Sequence, residues 1–254
     1  MTQGIDYSST QSAAVHACFH DAGIAFVCRY YDASGGKSAK CLDRNEADAL
    51  LAAGLQIFTV YETVPTEVGY FTKGQGSFDA LAAKGAAAAA GQPSSHPIFF
   101  AVDYDASDAD LGGAITDYFN GVDEAMAHAY PLGLYGSYRS CAFARANWPA
   151  VPHLWQTYAW SNGQKLTGVD LYQYQNDQSL CGVDVDLDEA AVPGWMAGEE
   201  EEMTPEQVRQ IAIAAVKDYI TNVYGPSLEA ELRKLHGDTV ADAVKAVAAK
   251  LTPA

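Results

Sequence analysis

Short apolar runs recur along most of the chain and predict eight β-strands. Each run is rich in β-branched and aromatic residues, which fit the pleated, half-buried surface of a sheet. The predicted strands span Gly4–Tyr7, Ile24–Tyr31, Leu55–Tyr61, Ile98–Asp103, Leu132–Gly136, His153–Tyr158, Leu171–Tyr174 and Val183–Leu187.

Helix-compatible stretches separate the first five predicted strands. They cover Gln11–Ala22, Asp43–Ala53, Ser77–Ala90 and Leu111–Ala129. Repeated β-α-β units predict parallel strands with crossover helices. We therefore predict an α/β fold, a compact (β/α)8-like TIM barrel whose later helices are short or missing. A doubly wound open sheet is the alternative, although no glycine-rich phosphate loop follows the first strand.

The pattern changes near Gly198, where four consecutive glutamates follow. We predict a barrel domain over residues 1–197, an acidic linker over 198–203 and a helical tail over 204–254. Apolar residues recur at helical spacing in the tail, with a break at Gly225-Pro226. Two amphipathic helices cannot bury their apolar stripes alone, so the tail is expected to dock or to form a homo-oligomer.

The chain is strongly acidic, with 32 acids against 15 bases and a formal net charge of -17. This charge opposes nucleic-acid binding, which needs a basic surface, and binding to anionic membranes. No apolar run reaches the ~18 residues needed to span a bilayer. The amino terminus lacks the basic flank and apolar run of a signal peptide, so synthesis in the cytoplasm is expected.

Five cysteines without paired spacing suggest neither a disulfide framework nor a zinc site. Buried thiols and a reducing place of synthesis are therefore expected. The six histidines show no metal-ligand spacing either, and no calcium-binding loop pattern occurs among the acids. We expect no metal and no cofactor.

Two acids follow the fourth predicted strand and give the most informative candidate chemistry. Residues at i and i+2 share one face of a strand, so Asp103 and Asp105 are expected to project together. Their Cα atoms would lie about 6.5–7 Å apart by strand rise. Crowded carboxylates resist ionising together, so one pKa should rise and provide a proton donor near neutral pH.

Further acids end the first and last predicted strands. Asp6 lies at the end of the first strand, whereas Asp184, Asp186 and Asp188 share one face of the last. In a closed barrel these two strands are neighbours, so Asp6 and Asp186 should approach each other. Glu62 is a plausible additional acid. Any single Asp after a strand is as often a helix cap or turn former, so the convergence of three strands carries the prediction.

Aromatic and amide side chains at other strand ends complete a candidate sugar-binding pocket. Tyr61, Tyr135 and Trp155 could stack on a sugar ring, and Gln173 could bond its hydroxyls. Such a pocket suits cleavage of a glycosidic bond, which uses one acid and one nucleophile or base.

Several motifs together resemble the glycoside hydrolase family 25 lysozymes. A closer similarity is to a glycoside-hydrolase-like domain of unknown function, found in actinobacterial secreted proteins and phage lysins. The similarity covers about residues 2–192. The motifs that carry it include Gly4-Ile5-Asp6-Tyr7-Ser8, Arg29-Tyr30-Tyr31, Asp103-Tyr104-Asp105, Leu134-Tyr135-Gly136-Ser137, Trp155-Gln156-Thr157, Tyr172-Gln173-Tyr174 and Val185-Asp186-Leu187.

The resemblance implies an N-acetylmuramidase that cleaves peptidoglycan without a cofactor. By position, Asp105 matches the family's general acid. The family's other site carboxylates are matched by Asp6, Asp103 and Asp186. Arg29 is placed with the substrate-binding residues. The lysozymes have Glu where this chain has Asp105. Because Asp is one methylene shorter, and ~1 Å of misplacement can cost ~10²-fold in rate, the change implies a repositioned substrate or weak or lost activity.

Two hypotheses follow from the sequence. The first is a muramidase-like glycan hydrolase of the phage-lysin type, which reaches the cell wall after release or as part of a virion. The second is a catalytically weak or inactive barrel that binds wall glycan or serves as a virion component assembled through its tail.

Overall fold

The computed structural model describes residues 1–34 and 38–198, and eight strands form a closed barrel in chain order. The strand that begins the chain pairs with the last strand, which closes the sheet. This confirms the predicted barrel and rules out the open doubly wound sheet. The strands are β1 (Thr2–Asp6), β2 (Phe26–Tyr31), β3 (Gln56–Tyr61), β4 (Ile98–Ala101), β5 (Leu132–Gly136), β6 (His153–Thr157), β7 (Leu171–Leu180) and β8 (Val183–Ala190).

The last strand departs from the parallel arrangement of the others. Strands β1 to β7 pair in parallel along the chain, whereas β8 is antiparallel to both β7 and β1. A short turn joins β7 to β8, and a hairpin of this kind needs no crossover helix. The carboxyl end of β7 and the amino end of β8 therefore meet at the mouth of the barrel.

Within the described residues, five helices of nine or more residues pack outside the barrel, and their ends follow the local sequence. Ser12, Asp43 and Thr72 cap the first three helices by accepting a backbone N–H with their side chains. Gly91 ends the alanine-rich third helix in the left-handed region, with φ of 79°. The helices are α1 (Ala13–Asp21), α2 (Arg44–Ala52), α3 (Lys73–Ala90), α4 (Thr116–Met126) and α5 (Tyr138–Asn147).

The expectation of short or missing late helices is confirmed for the described residues. α5 follows β5, but the connection from β6 to β7 contains no helix. Its place alongside α5 is taken by the irregular segment 158–170, called the β6–β7 loop below. None of the helices in residues 1–34 and 38–198 has the length and apolar character needed to cross a membrane.

Apolar side chains form two separate cores, one inside the barrel and one between the barrel and its helices. Alternation along each strand decides which core a residue enters, because successive side chains point to opposite faces. In β2, for example, Phe26 and Cys28 lie inside the barrel while Val27 and Tyr31 face the helices. Aromatic rings fill much of the interior, including Phe58, Phe99, Tyr135 and Trp155.

The expectation that all cysteines are thiols is wrong. Cys18 of α1 and Cys181, in the turn between β7 and β8, form a disulfide across 163 residues of sequence. Their Cα atoms lie 6.1 Å apart, within the usual range for a disulfide. Spacing along the chain could not reveal a pair that only the closed barrel brings together. Cys28, Cys41 and Cys141 are buried and lie outside this disulfide, as predicted.

The predicted acidic linker beyond Gly198 and the helical tail over residues 204–254 lie outside the described residues. So does any oligomer that the tail was predicted to form.

Candidate active site

Asp6 lies at the centre of a group of acids at the mouth of the barrel. Asp6 is the last residue of β1, and its side chain is buried. The Tyr30 hydroxyl donates to Asp6 Oδ1 at 2.7 Å, and Gln173 Nε2 donates to Oδ2 at 2.8 Å. Burial raises the pKa of Asp6, although these two hydrogen bonds favour its charged form.

Asp186 lies beside Asp6, as predicted from closure of the barrel. The two residues are direct partners in the β1–β8 pairing. Gln173 Nε2 also approaches Asp186 Oδ2 at 3.2 Å, so one amide group bridges both carboxylates. Partial burial and the negative charge of Asp6 raise the pKa of Asp186 to about 6.

Asp188 lies one layer deeper in the barrel and is fully buried. Its position in β8 points it into the closed interior. Trp155 Nε1 donates to Asp188 Oδ1 at 2.9 Å. Burial and the charge of Asp6 raise the pKa of Asp188 well above its usual value.

Glu62 and Asp103 extend the acidic group toward β3 and β4. Lys40 forms an ion pair with Glu62, and its ammonium group lies 4.5 Å from the centre of the Tyr30 ring. Burial raises the pKa of both acids, and the negative charge of Asp6 adds to the effect. Lys40 opposes the rise in each case by favouring the carboxylate.

Asp105 lies apart from this group, on the rim. β4 ends at Ala101, so the two-residue alternation used to place Asp105 beside Asp103 does not extend this far. The Asp105 side chain is 54% exposed, and its Oδ1 lies 3.9 Å from Arg139 Nη1. Arg139 also donates to the Ala106 carbonyl at 3.1 Å, which fixes its position against this loop.

Two predicted stacking residues lie beneath the mouth rather than in it. Trp155 is fully buried, and Tyr135 packs against it at a centroid distance of 4.8 Å. The Tyr135 hydroxyl donates to Gln173 Oε1 at 2.9 Å and thereby orients the amide that bridges the acids. Both rings support the acids, but the expectation that Trp155 stacks on a sugar is wrong, because the interior layer encloses it.

Tyr61 and Arg29 point away from the mouth, so the predictions that they contact substrate are wrong. Both occupy the outward positions of their strands and are buried against the helices. The Tyr61 ring packs on Phe100 at 5.7 Å. Arg29 Nη2 bonds Glu46 Oε2 at 3.0 Å, forming a buried ion pair behind the barrel. Asp184 lies toward the tip of the β7–β8 hairpin and is exposed.

Two residues of the site were missed from the sequence. Tyr30 occupies an inward position of β2, on the face that carries Phe26 and Cys28. Both faces of β2 are apolar and buried, so the sequence did not reveal which face points to the mouth. Lys40 lies in the loop that follows β2, where no periodic pattern indicates the direction of a side chain.

The arrangement places several acids with raised pKa values side by side in a half-buried mouth. The pKa of Asp186 is raised to about 6, and burial raises the pKa of its neighbours Asp6 and Asp188. Acids whose environments separate their pKa values are suited to general acid–base chemistry. Among residues 1–34 and 38–198, no three histidine, cysteine or acidic side chains are arranged to hold a metal ion.

Comparison with curated proteins identifies relatives in Bacillus subtilis (strain 168). The uncharacterized protein FadG is 37% identical over 125 residues, which cover 47% of this chain and 22% of that protein. The uncharacterized protein YbfG is 38% identical over 104 residues, covering 38% of this chain and 14% of that protein. The matched segments thus span less than a quarter of these relatives' own length.

Solved structures share the fold. The Tat-secreted protein Rv2525c of Mycobacterium tuberculosis, in complex with L-tartrate, has a TM-score of 0.67 at 24% identity, over 76% of this chain and 97% of that one. A muramidase from Trichobolus zukalii has a TM-score of 0.52 at 17% identity, over 76% and 94% of the two chains. Residues 17–192 match the family model of the Rv2525c-like, glycoside hydrolase-like domain, and the chain belongs to this family.

Proposed function

We propose that this protein hydrolyses the glycan strands of bacterial peptidoglycan in the manner of an N-acetylmuramidase. The observation that carries the proposal is the group of acids at the mouth of a glycoside-hydrolase-like barrel, namely Asp6, Glu62, Asp103 and Asp186. Burial raises the pKa of all four, and that of Asp186 reaches about 6, so this carboxyl can gain or lose a proton near neutral pH. Cleavage of a glycosidic bond uses such an acid beside a second carboxyl.

In the proposed mechanism, Asp105 protonates the leaving oxygen. Its side chain is 54% exposed at the rim and is therefore open to a passing glycan strand. Asp6, Asp103 and Asp186 face the reacting sugar, stabilise positive charge at its anomeric carbon and activate a water molecule. Gln173 and Tyr30 hold Asp6 in place through hydrogen bonds.

A cell-wall substrate also fits two properties of the whole chain. Disulfides persist in oxidising surroundings outside the cytoplasm, where peptidoglycan lies, and Cys18–Cys181 is such a bond. The net charge of -17 gives no attraction to anionic wall polymers, so binding must rest on sugar stacking and hydrogen bonds.

Purified peptidoglycan provides the direct test. We expect wild-type protein to lower the turbidity of a peptidoglycan suspension and to release new reducing ends. Asp105→Asn and Asp103→Asn should each lower the rate at least ~10²-fold, since each removes a carboxyl with a stated role. Asp184→Asn is the matched control, because Asp184 is exposed on the hairpin, and it should retain the wild-type rate.

Equal rates for wild type and Asp105→Asn would contradict the assignment of the proton donor. Loss of activity in Asp103→Asn alone would move that role to Asp103, which is half-buried and has a raised pKa. Absence of reducing ends from wild type would contradict hydrolysis altogether.

One observation favours a second candidate, a barrel that binds wall glycan without cleaving it. Asp105 is exposed on the rim beside Arg139 and lies outside the buried group of acids. Co-sedimentation with insoluble peptidoglycan, together with no release of reducing ends, would support the binding function over hydrolysis.

A further inference from the structure

A groove of about 480 Å³ runs between α5 and the β6–β7 loop. It begins at the rim of the barrel, where Arg139 of α5 lies 3.9 Å from Asp105. It then continues along the outer side of α5, between that helix and the loop. A volume in this range accommodates small-molecule ligands in other proteins. Arg139 thus places the groove next to Asp105, while none of Asp6, Glu62, Asp103 and Asp186 lines it.

The β6–β7 loop is firmly attached to the barrel. Ser161 is buried, its Oγ donates to the Thr157 carbonyl at 2.6 Å, and it accepts the backbone N–H of Tyr138 at 2.8 Å. Gln156, buried in β6, donates to the Gln164 carbonyl and accepts from the backbone of Leu166, each at 2.8 Å. These bonds join the loop to both β6 and α5, so one wall of the groove is preformed.

This rigid loop presents a tryptophan to solvent. Trp160 is 41% exposed, whereas the other three tryptophans of the chain are buried. Its backbone adopts a φ of 53°, in the left-handed region that disfavours residues with a side chain. An exposed indole in a costly backbone conformation, held by buried hydrogen bonds, indicates a binding role rather than a packing role.

The lining of the groove has the composition of a sugar site. Trp160 is joined by Tyr138 and Phe143, which add aromatic surface on the α5 side. The amides of Asn147, Asn162 and Gln164 line the same groove and can donate to and accept from hydroxyl or acetamido groups. Aromatic faces pack against the apolar faces of sugar rings, while amides select their polar groups.

We propose that this groove is a second glycan-binding subsite, which holds an N-acetylhexosamine unit of the strand on the Asp105 side of the active site. The proposal rests on the proposed function for the identity of its ligand. Among the described residues that line the groove, Arg139 is the one cation, and it already lies near Asp105 and Asp108, with its Nε 3.8 Å from Asp108 Oδ1. A neutral sugar therefore fits the groove better than a strongly anionic ligand.

The subsite is tested by binding of a soluble probe, the β-1,4-linked tetramer of N-acetylglucosamine. Titrations followed by tryptophan fluorescence and calorimetry use an Asp103→Asn background, so that hydrolysis does not consume the probe. We expect Trp160→Ala to weaken binding about ten-fold and Trp160→Tyr to restore part of the loss. Tyr158→Ala is the matched control, because Tyr158 is 42% exposed in the same loop but does not line the groove.

Hydrolysis gives a second readout in the otherwise wild-type protein. Trp160→Ala should raise KM for long glycan strands about ten-fold and leave kcat nearly unchanged, because a distal contact binds ground state and transition state alike. Thermal melting of each variant verifies that it is folded.

Unchanged tetramer affinity and KM in Trp160→Ala would overturn the subsite while leaving the proposed hydrolysis intact. Equal losses in Trp160→Ala and Tyr158→Ala would also overturn it, because they would reflect disruption of the loop. If wild type releases no reducing ends but binds the tetramer in a Trp160-dependent way, the proposed function fails and the subsite stands.

Discussion

At the scale of single residues, removal from water is the main influence on the acids at the barrel mouth. Burial is the largest cause of the raised pKa of Asp6, Glu62, Asp103 and Asp186, ahead of repulsion between them. Crowding of Asp103 with Asp105 was the expected cause of a raised pKa. The pKa of Asp103 is instead raised chiefly by burial, with a further contribution from the charge of Asp6.

The shift at Asp186 predicts a pH-dependent stability. Its pKa is 3.8 unperturbed and about 6 in the folded protein, so folding takes up protons between those values. The unfolded chain binds fewer protons in this window, and the free energy of unfolding therefore falls as pH rises through it. Asp186→Asn removes the contribution, so its melting temperature should fall less than that of wild type between about pH 4 and about pH 7.

Thermal melts across this range provide the measurement. Asp184→Asn, on the same face of the same strand but exposed, should follow wild type. Identical pH dependence in wild type and Asp186→Asn would contradict the environment assigned to Asp186.

The direction of individual side chains was only partly predictable. Asp6 and Asp186 could be paired because closure of a barrel makes the first and last strands neighbours. Tyr61 and Arg29 could not be placed by composition, because both faces of a strand in a parallel barrel are buried and apolar runs lose their alternation. The chemistry of Asp6 suggests that its side chain points inward. This direction in β1 does not determine which side chains of β2 or β3 point inward.

At the scale of secondary-structure elements, α3 and α4 make a close contact through two glycines. A Cβ added to Gly76 would lie 2.0 Å from the Tyr118 carbonyl oxygen, and one on Gly121 would lie 2.1 Å from the Lys73 carbonyl oxygen. Each distance is far inside van der Waals contact with backbone atoms, which cannot rotate away. The two helices therefore pack backbone to backbone.

This contact predicts a strong effect of a single methyl group. Gly121→Ala should lower the free energy of unfolding by about 1–3 kcal/mol, because overpacking must push α4 away from α3. Gly85→Ala is the matched control, since that position in α3 has no neighbour within 4 Å. Ala there should stabilise by about 0.5–1 kcal/mol through helix propensity. Denaturant unfolding measures both, and equal effects would contradict the close packing.

Element types were predicted well because their signals are local. The strand Leu132–Gly136 has the predicted bounds, and the alanine-rich helix ends at Gly91 as expected. The antiparallel direction of β8 was not predicted. A short turn makes consecutive strands antiparallel, and the length of the β7–β8 turn depends on where β7 ends. β7 continues to Leu180, beyond its predicted end at Tyr174, through irregular pairing that a repeat pattern does not reveal.

At the scale of the whole molecule, the Cys18–Cys181 disulfide holds the hairpin that carries Asp186 against α1. A bond that closes a loop of this length lowers the conformational entropy of the unfolded chain. If this entropy loss is the only effect, it raises the free energy of the unfolded state by about 5 kcal/mol. We expect Cys18→Ser combined with Cys181→Ser to lower the free energy of unfolding by about 3–5 kcal/mol. Denaturant titration without reductant measures the difference.

Reductant supplies the control for this prediction. It should bring wild type to the stability of the double variant and leave the double variant unchanged. A wild-type protein that reductant does not destabilise would contradict a stabilising role for the bond.

The same disulfide makes most of the barrel a covalent circle, because residues 18 and 181 are joined both through the backbone and through their sulfur atoms. A protease that cuts one peptide bond in any exposed loop between them leaves two fragments that cannot diffuse apart. The nicked chain keeps all its strands tethered, so a single cut should preserve the barrel while the disulfide lasts. On a gel, the cut would be visible only after reduction.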